Sequence, residues 1–578
     1  MDGFIVTCCK NSENELMKPH SIKPITLNKF TYFIKSKNCQ IIHLANDELM
    51  IIDGYNFQND FSTVVSAVCK NKFSLLNQIE GHFSGIYINQ QGIIGFNDRY
   101  GGKTLFWQKH QHNLIISSRI SLMPYYDTSN DPKGAYESAL YRWTTGEQTL
   151  LAKVHKLMAH HSIKLDPEFR ETTQSQSYWQ LPLPQIVNTS IETKIAQTKT
   201  ILTNRLKEAS RHHKKVAIFL SGGVDSSILA ALSKDIFEKC YLITPIFKGE
   251  ANPELATAKA FAKTLNLTHH FIEIDPEFLE VDLKQLIKLK GEPLRHYSSL
   301  AMMAMMKAIP QEYDAVIYGE AADTLFGSNG IKRILTHYNW KKKSQFIPNF
   351  ILTLLAKLTP TRGNILLNVN KKTLRELILS VTQIKYSPEQ RKIIASLFLN
   401  EESQLDHWLW QGDVNSITAL ELRHAAQERI LNSDAATHFA EAEMIAEIYG
   451  KHIISPFFAP DIITLSTTIT NHEYFGTTYV KPILRELACE YFDRELIYQK
   501  KHGFPVPFIS WLNGPLKHLV EEVKQERQLF NGSQLEHLNI EENFEIIWLL
   551  INWKIIHQHF QQSKIVSRHV DNDLEKFS

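Results

Sequence analysis

The sequence predicts an α/β protein in which a β-rich amino-terminal part precedes a second part built around a parallel sheet with added helices. Three observations indicate this organisation. Short apolar runs broken by Gly, Asn and Asp dominate up to about residue 180, prolines crowd residues 181–184, and strands then alternate with helical periodicity. The expected divisions are a first domain at 1–180, a linker at 181–194, a second domain at 195–530 and a helical extension at 531–578.

Individual elements follow from the same patterns. In the first part, strands are expected at residues 41–44, 50–52, 85–88 and 114–116. Beyond the linker, helices are expected at 195–209 and 253–265, with strands at 216–220, 242–244, 271–274 and 315–318. The remainder to about residue 560 is mostly helical in pattern, and one apolar stripe predicts core positions at Phe544, Ile547, Trp548 and Ile551.

Composition narrows the class of protein. The 578 residues are 43% hydrophobic and 21% charged, which is typical of a globular protein with more than one core. The net charge of +2 favours neither nucleic acid nor an anionic membrane as a partner, and the cluster Lys341, Lys342 and Lys343 is interpreted as a solvated face. Six cysteines without a C-x-x-C pair, and an apolar run at 350–356 that is too short to span a membrane, predict a cytoplasmic protein without disulfides. The oligomeric state is left open.

The most informative motif follows the strand at 216–220, where Ser221-Gly222-Gly223-Val224-Asp225-Ser226-Ser227 leads into a helix. Glycines let backbone N–H groups approach an anion, and the helix amino terminus favours negative charge. The carboxylate of Asp225 would repel phosphate unless it holds Mg²⁺ that bridges to the phosphates. The loop resembles the diphosphate-binding loop of the N-type ATP pyrophosphatases, which split ATP into AMP and diphosphate. By contrast, Gly102-Lys103-Thr104 lacks the upstream glycine of a Walker A loop, because Asn97 stands there.

Further segments occur in the order found in asparagine synthetases, and this resemblance extends from about residue 50 to 507. The stretches that carry it are Gly81-His82-Phe83-Ser84-Gly85, residues 97–106, Glu292-Pro293, residues 319–327, Lys481-Pro482-Ile483-Leu484-Arg485 and residues 499–504. The resemblance implies an Ntn-hydrolase sandwich (αββα) for the first part and an ATP pyrophosphatase domain for the second.

The resemblance also assigns roles to residues. Asp323 joins Asp225 on Mg²⁺, Glu320 receives the proton of the attacking amine, and Lys481 offsets negative charge on the reacting intermediate. Gly319 and, in the strand that resembles the adenine-packing strand, Thr244 are nucleotide-binding candidates beside the loop residues. Residues 501–504 are expected to form an active-site loop, with Gln499 in place of the family's arginine.

The glutaminase part departs from the family pattern. The family uses an amino-terminal cysteine at position 2, whereas this sequence has Asp2, and the family's N-G-E is replaced by Asp53-Gly54-Tyr55. An amino-terminal domain without glutaminase activity is therefore predicted, although cleavage before Cys8 or Cys9 is an alternative route to a thiol. Ala321, Thr324 and Ser328 also differ from the family's residues, which leaves the substrate open.

The predicted function is an ATP-dependent, AMP-forming ligase that activates a carboxylate for attack by an amine, with ATP and Mg²⁺ as cofactors. Without glutaminase, the amine comes from elsewhere, as in the β-lactam synthetases and lasso peptide cyclases. Glu320 disfavours a β-lactam product, because those enzymes have tyrosine there. A macrolactam-like or other specialised amide is favoured, with a precursor peptide or a protease as candidate partners. The alternatives are an asparagine synthetase that uses ammonia or glutamine, a non-catalytic nucleotide-binding scaffold and, last, a tRNA-thiolating enzyme.

Overall fold

A computed structural model describes most of the chain. The described residues are 3–9, 25–27, 30–37, 39–56, 60–110, 113–123, 129, 131–144, 146–166, 174–185, 187–250, 252, 254–294, 296–344, 346–359, 386–398, 417–499, 506–527, 529–530 and 532–575. Asp2 and residues 501–504, on which the sequence supports predictions, lie outside these ranges.

The amino-terminal part contains two six-stranded antiparallel sheets. Their strands are β1 (Gly3–Cys9), β2 (Ile25–Leu27), β3 (Phe30–Lys37), β4 (Gln40–His43), β5 (Leu49–Asn56), β6 (Gly81–Asn89), β7 (Gly92–Asn97), β8 (Phe106–His110), β9 (Asn113–Ser117), β10 (Val154–Lys156), β11 (His161–Leu165) and β12 (Gln174–Ser177). The first sheet has the order β10-β8-β9-β1-β3-β2, and the second has the order β12-β11-β7-β6-β5-β4. The four strands predicted in this part from alternation all fall on observed strands.

Alternating side chains make these sheets the inner layers of a sandwich. One set, including Phe4, Ile51 and Ile116, packs between the two sheets. On the outer face of the second sheet, Met50 and Phe83 pack on α1 (Ser62–Cys69), and α2 (Pro132–Tyr141) covers the outer face of the first sheet. The resulting αββα order confirms the fold class expected for the amino-terminal part.

The second part is built on a five-stranded parallel sheet. Its strands are β13 (Lys215–Phe219), β14 (Lys239–Phe247), β15 (His269–Ile274), β16 (Ala315–Ile317) and β17 (His452–Ile454), in the order β15-β14-β13-β16-β17. The strand order therefore reverses between β13 and β16, which pair in parallel with Ala217 opposite Val316. In open α/β sheets, ligands bind at such a reversal, beyond the carboxyl ends of the strands.

Helices surround this sheet and extend beyond it. They are α3 (Ile191–Ala209), α4 (Val224–Ser233), α5 (Leu255–Leu265), α6 (Leu279–Lys290), α7 (Ser298–Ala308), α8 (Ala322–Phe326), α9 (Asn329–Ser344), α10 (Asn349–Leu358), α11 (Pro388–Phe398), α12 (Ala419–Ile430), α13 (Ala436–Ile448), α14 (Pro460–Ser466), α15 (Asn471–Phe475), α16 (Pro482–Ala488), α17 (Arg494–Ile497), α18 (Phe508–Asn513), α19 (Lys517–Lys524) and α20 (Ile540–Glu575). Within the described ranges, none of these helices combines the length and apolarity needed to cross a bilayer.

The two parts share one apolar core. Tyr100 and Phe106 of the first part belong to the same buried cluster as Phe458 and the α20 residues Ile547 and Trp548. The predicted core positions Ile547, Trp548 and Ile551 are thus confirmed, and Phe544 packs against this core while only partly buried. The domain limits 1–180, 181–194, 195–530 and 531–578 stay predictions.

Candidate active site

The turn between β13 and α4 is a compact loop held by its own serines. Gly222 has φ +77°, and a Cβ there would lie 2.7 Å from the carbonyl oxygen of Glu254, so the position favours glycine. The Ser226 hydroxyl accepts a hydrogen bond from the Ser221 N–H at 3.2 Å and donates to the Gly223 carbonyl at 3.2 Å. These bonds fix the loop at the amino terminus of α4, where backbone N–H groups and the helix dipole attract anions.

Two other predicted nucleotide-binding residues direct their hydroxyls into the protein. Ser227 is fully buried and donates to the Val224 carbonyl at 2.8 Å. The Thr244 hydroxyl donates to the Leu220 carbonyl and lies 2.8 Å from His269 Nε2. The Ser227 hydroxyl therefore braces the first turn of α4, and the Thr244 hydroxyl holds the carbonyl of the residue that follows β13. A nucleotide contact by either residue stays a prediction.

Three of the predicted charged residues meet beside the loop. Lys481 Nζ lies 2.5 Å from Asp225 Oδ2 and 2.8 Å from Asp323 Oδ1. The Lys481 side chain is only 4% exposed, whereas that of Asp323 is 62% exposed. Gly319 is the remaining predicted residue at the carboxyl edge of the parallel sheet. It packs closely against Asp225, because a Cβ at Gly319 would lie 3.4 Å from Asp225 Cβ. The cluster thus has a buried cation at its centre and an open acidic side.

The backbone holds Lys481 in an uncommon conformation. Lys481 has φ +63° and immediately precedes α16, which begins with Pro482. Gly327 makes room for it, because a Cβ at Gly327 would lie 2.5 Å from the Lys481 nitrogen. A left-handed non-glycine residue costs about 1 kcal/mol or more, and such strain is often kept at functional sites.

The donor set suits a magnesium ion held jointly with phosphates. Asp225 Oδ1 is buried and has no hydrogen-bond partner among the described residues, although Oδ2 is bound to Lys481. A buried carboxylate oxygen without a donor is costly, and a hard cation would satisfy it. Within the described chain, no group of three or more His, Cys, Asp or Glu side chains could hold a metal alone. This is consistent with Mg²⁺, which usually takes one or two carboxylates and completes its shell with phosphates and water.

A cavity of about 390 Å³ opens beside the loop and contains these groups. It is lined by Gly222, Asp225, Asp323, Lys481 and Arg485, among others. Arg485 donates from Nε to the Val480 carbonyl at 3.0 Å, and partial burial lowers the pKa of its guanidinium. Two cations and a glycine loop thus line one cavity, and such groups are suited to bind phosphate oxygens.

Glu320 lies at the carboxyl end of β16 and is paired with a histidine that sequence reasoning missed. Glu320 Oε2 lies 2.8 Å from His438 Nδ1 on α13. The Tyr318 hydroxyl lies 3.2 Å from the same nitrogen. A single histidine in a helical pattern gives no sequence signal for this contact, which arises only when α13 packs beside the sheet. Between α12 and α13, residues Leu431–Ala435 form a π-helical turn.

The substitution at Ala321 has a visible physical consequence. Ala321, where the family has glycine, adopts φ +70° at the start of α8. Glycine reaches this conformation without penalty, whereas alanine pays for its Cβ. The chain between Glu320 and Asp323 therefore keeps the backbone shape that a glycine would favour.

In the amino-terminal part, Asp53 is engaged in a buried ionic network. Asp53 Oδ1 lies 3.1 Å from Lys103 Nζ, which lies 2.6 Å from Glu447 Oε2. Arg119 Nη2 also lies 2.6 Å from Glu447 Oε2. Burial alone would raise the pKa of Glu447, but Lys103 and Arg119 outweigh it and lower that pKa to about 2. The network joins both sheets of the sandwich to α13.

The alternative of cleavage before Cys8 meets a structural obstacle. Residues 3–7 belong to β1, which lies inside its sheet between β3 and β9. Cleavage would remove these residues and their ladder hydrogen bonds. The Cys8 side chain is also buried between the sheets.

Comparison with known proteins bears on the class of this chain. Residues 197–560 match the family model described as asparagine synthase. Amidase chry2 of Gibberella zeae is 25% identical over 316 residues, which cover 50% of this chain and 46% of the relative. The glutamine-hydrolysing asparagine synthetase 1 of Bacillus subtilis is 21% identical over 529 residues, which cover 88% and 80%. The NMN synthetase structure from Francisella tularensis aligns with a TM-score of 0.19 at 20% identity, over 24% of this chain and 58% of that one.

The glycine-serine loop, the paired carboxylates and the buried lysine lie at the strand-order reversal of a parallel sheet, where open α/β proteins bind ligands. Since the family match covers well over half of the chain, the chain belongs to the asparagine synthase family. The alignment with amidase chry2 covers less than half of the length of that relative.

Proposed function

We propose that this chain is an AMP-forming carbon–nitrogen ligase that adenylates a carboxylate and transfers the acyl group to an amine. The observation that supports this proposal most directly is the Asp225–Lys481–Asp323 cluster in the cavity beside the glycine-serine loop. The loop N–H groups, Lys481 and Arg485 would bind the diphosphate end of ATP, which leaves the α-phosphate open to attack. Asp225 Oδ1 and Asp323 would hold Mg²⁺, which when bound neutralises charge on the diphosphate.

The second half of the reaction needs a base. Glu320 lies at the same edge of the sheet, and we assign it the proton of the attacking amine. The amine nitrogen bonds to the acyl carbon, and AMP leaves with the electrons of the broken C–O bond. Lys481 would offset negative charge on the tetrahedral intermediate.

The amine is proposed to come from the substrate or from solution, because the glutaminase position is altered. Asp53, which stands where the family has an amide donor, is bound to Lys103. We therefore favour a specialised or peptide amide, such as a macrolactam, in which a precursor peptide or a protease would be a partner. Relatives named as amidases agree with amide chemistry beyond asparagine. A reducing, cytoplasmic setting is proposed, and the described cysteines Cys8, Cys39, Cys69, Cys240 and Cys489 are not joined to one another in disulfides.

The main alternative is an asparagine synthetase, favoured by the long alignment with the Bacillus subtilis relative. Incubation with ATP, Mg²⁺, aspartate and ammonia separates the two proposals, because rapid asparagine formation supports the alternative. Replacing ammonia with glutamine tests the amino-terminal domain. Release of glutamate would contradict the loss of glutaminase activity.

The test of the adenylating function is ATP–diphosphate exchange with a pool of the common amino acids as carboxylates. Wild-type protein should exchange labelled diphosphate into ATP only with Mg²⁺, and Asp225→Asn should abolish this exchange. Asp461→Asn is a matched control, because Asp461 forms a surface pair with Arg205. Exchange that persists in the Asp225 variant would refute the assigned site. A protein that binds MgATP but forms no acyl-adenylate with any acceptor would support a scaffold instead.

A further inference from the structure

Glu320 and His438 form a partly buried acid–imidazole pair at the carboxyl edge of the parallel sheet. Glu320 Oε2 lies 2.8 Å from His438 Nδ1, and the two side chains are 20% and 17% exposed. An interaction this close and this little exposed is screened less than a surface pair. The imidazole therefore influences the orientation of the carboxylate.

The contact with Glu320 places a proton on Nδ1 of His438. An Nδ1–H group donates to the carboxylate, whereas a bare Nδ1 would turn a lone pair toward a negative oxygen at 2.8 Å. The Tyr318 hydroxyl lies 3.2 Å from Nδ1 and 3.4 Å from Nε2.

Other titratable groups face the histidine from neighbouring elements. The His296 ring lies 5.0 Å from the His438 ring in an edge-on arrangement. His296 Nδ1 in turn lies 3.4 Å from Arg142 Nη1, and Arg142 is paired with Glu545. The carboxylate of Glu320 is the anionic group in direct contact with His438.

We infer that His438 is a positioning residue for the amide-forming step, an inference that rests on the proposed function. As an Nδ1–H donor, His438 orients the Glu320 carboxylate, which takes the amine proton while the C–N bond forms and AMP departs. The pair therefore acts on amide formation, whereas adenylation does not depend on it.

Two half-reactions separate this role from a structural one. The probes are the amino-acid pool for ATP–diphosphate exchange and hydroxylamine as the amine, with hydroxamate as the product. His438→Ala should retain exchange but lose about 100-fold in hydroxamate formation, the lower range for loss of acid–base assistance. His438→Gln, which keeps an N–H donor to the carboxylate, should retain most of the hydroxamate formation that His438→Ala loses. His296→Gln, the matched control, should change neither reaction.

Three results would overturn the inference. They are normal hydroxamate formation by His438→Ala, a loss of hydroxamate formation in His438→Gln as large as in His438→Ala, and a parallel loss of exchange and hydroxamate in both variants. If wild-type protein shows no exchange with the pool, the proposed function fails for those carboxylates, whereas normal exchange together with any of the three results overturns the inference alone.

Discussion

Lys481 bridges two acidic residues, because its Nζ atom lies 2.5 Å from Asp225 Oδ2 and 2.8 Å from Asp323 Oδ1. These residues come from three separate segments, the first turn of α4, α8 and the start of α16. In this position, the Lys481 ammonium group would lie beside a bound diphosphate and its metal ion. The contact suggests that Lys481 occupies the centre of the site before nucleotide binding and exchanges partners when MgATP enters.

Replacing Lys481 with methionine should therefore lower catalysis more than stability. Methionine keeps an apolar stem of similar length but removes the charge that stabilises the intermediate, so turnover should fall about 100-fold, as for loss of one stabilising donor. The measurement is initial-rate diphosphate release with a Mg²⁺ titration, beside the thermal denaturation midpoint. Normal turnover in this variant would contradict the role of Lys481.

Substituting alanine for Gly222 should damage the loop sterically. The new Cβ would lie 2.7 Å from the Glu254 carbonyl oxygen, in addition to the cost of φ +77°. Gly249 provides a matched control, because it has φ +79° but no atom within 4 Å of an added Cβ. MgATP affinity, measured by calorimetry, should fall in Gly222→Ala and stay normal in Gly249→Ala. Equal affinities would show that the close approach is unimportant.

Loss of Lys103 should destabilise the junction between the sandwich and α13. Lys103→Met leaves Asp53 without its cation and Glu447 with Arg119 alone, and breaking a buried pair costs about 3–5 kcal/mol. The control is Lys199→Met, which removes a surface pair with Glu490 and should cost under about 1 kcal/mol. Urea unfolding measures both costs. A loss of unfolding free energy in Lys103→Met as small as that in Lys199→Met would contradict a buried network.

The same network gives a pH dependence with a definite sign. The pKa of Glu447 is lowered to about 2 in the folded protein, whereas an unfolded glutamate titrates near about 4.3. The stabilisation is therefore fully present above about pH 4.3 and is lost as the pH falls toward about 2. In Lys103→Met the folded pKa of Glu447 should rise, so the variant should depend less on pH in this window than the wild type does.

Glu443, which lies on α13 like Glu447, should change the stability of the protein with pH in the opposite direction. Burial raises its pKa to about 8, and its carboxyl accepts the Ile453 N–H at 3.3 Å. Because the folded state binds this proton more tightly, its contribution to stability declines as the pH rises from about 4.3 to 8. Glu443→Gln keeps the acceptor and should be more stable than the wild type at pH 8, by urea unfolding. The exposed Glu490→Gln is the control, and equal stability of wild type and Glu443→Gln at pH 8 would contradict the raised pKa.

Much of this architecture could be read from the sequence because its signals are local. The strand at Lys215–Phe219, the glycine-serine loop and the helix at Val224–Ser233 follow one another along the chain, so periodicity and composition define them. The helix at Ile191–Ala209 begins four residues before the start at residue 195 that the apolar periodicity predicts. Its N-cap, Ser190, accepts from the Thr193 N–H at 3.2 Å, a capping signal that precedes the apolar residues.

The missed features depend on contacts between distant segments. Glu320 and His438 are 118 residues apart, and Lys103 and Glu447 are 344 residues apart. No periodicity predicts such pairs, because each forms only when the helix α13 packs beside the sheets. For the same reason, the sequence indicated that Asp53 was unsuited to the family's amide role without indicating that Lys103 and Glu447 would engage it.

The identity of the products formed from ATP distinguishes an AMP-forming ligase from other ATP-using enzymes. Phosphorus NMR of wild-type protein with MgATP, the amino-acid pool and hydroxylamine separates cleavage at the α-phosphate from cleavage at the γ-phosphate. Wild-type protein should form AMP and diphosphate in equal amounts, and Asp225→Asn should form neither. Accumulation of ADP and inorganic phosphate would contradict an AMP-forming ligase.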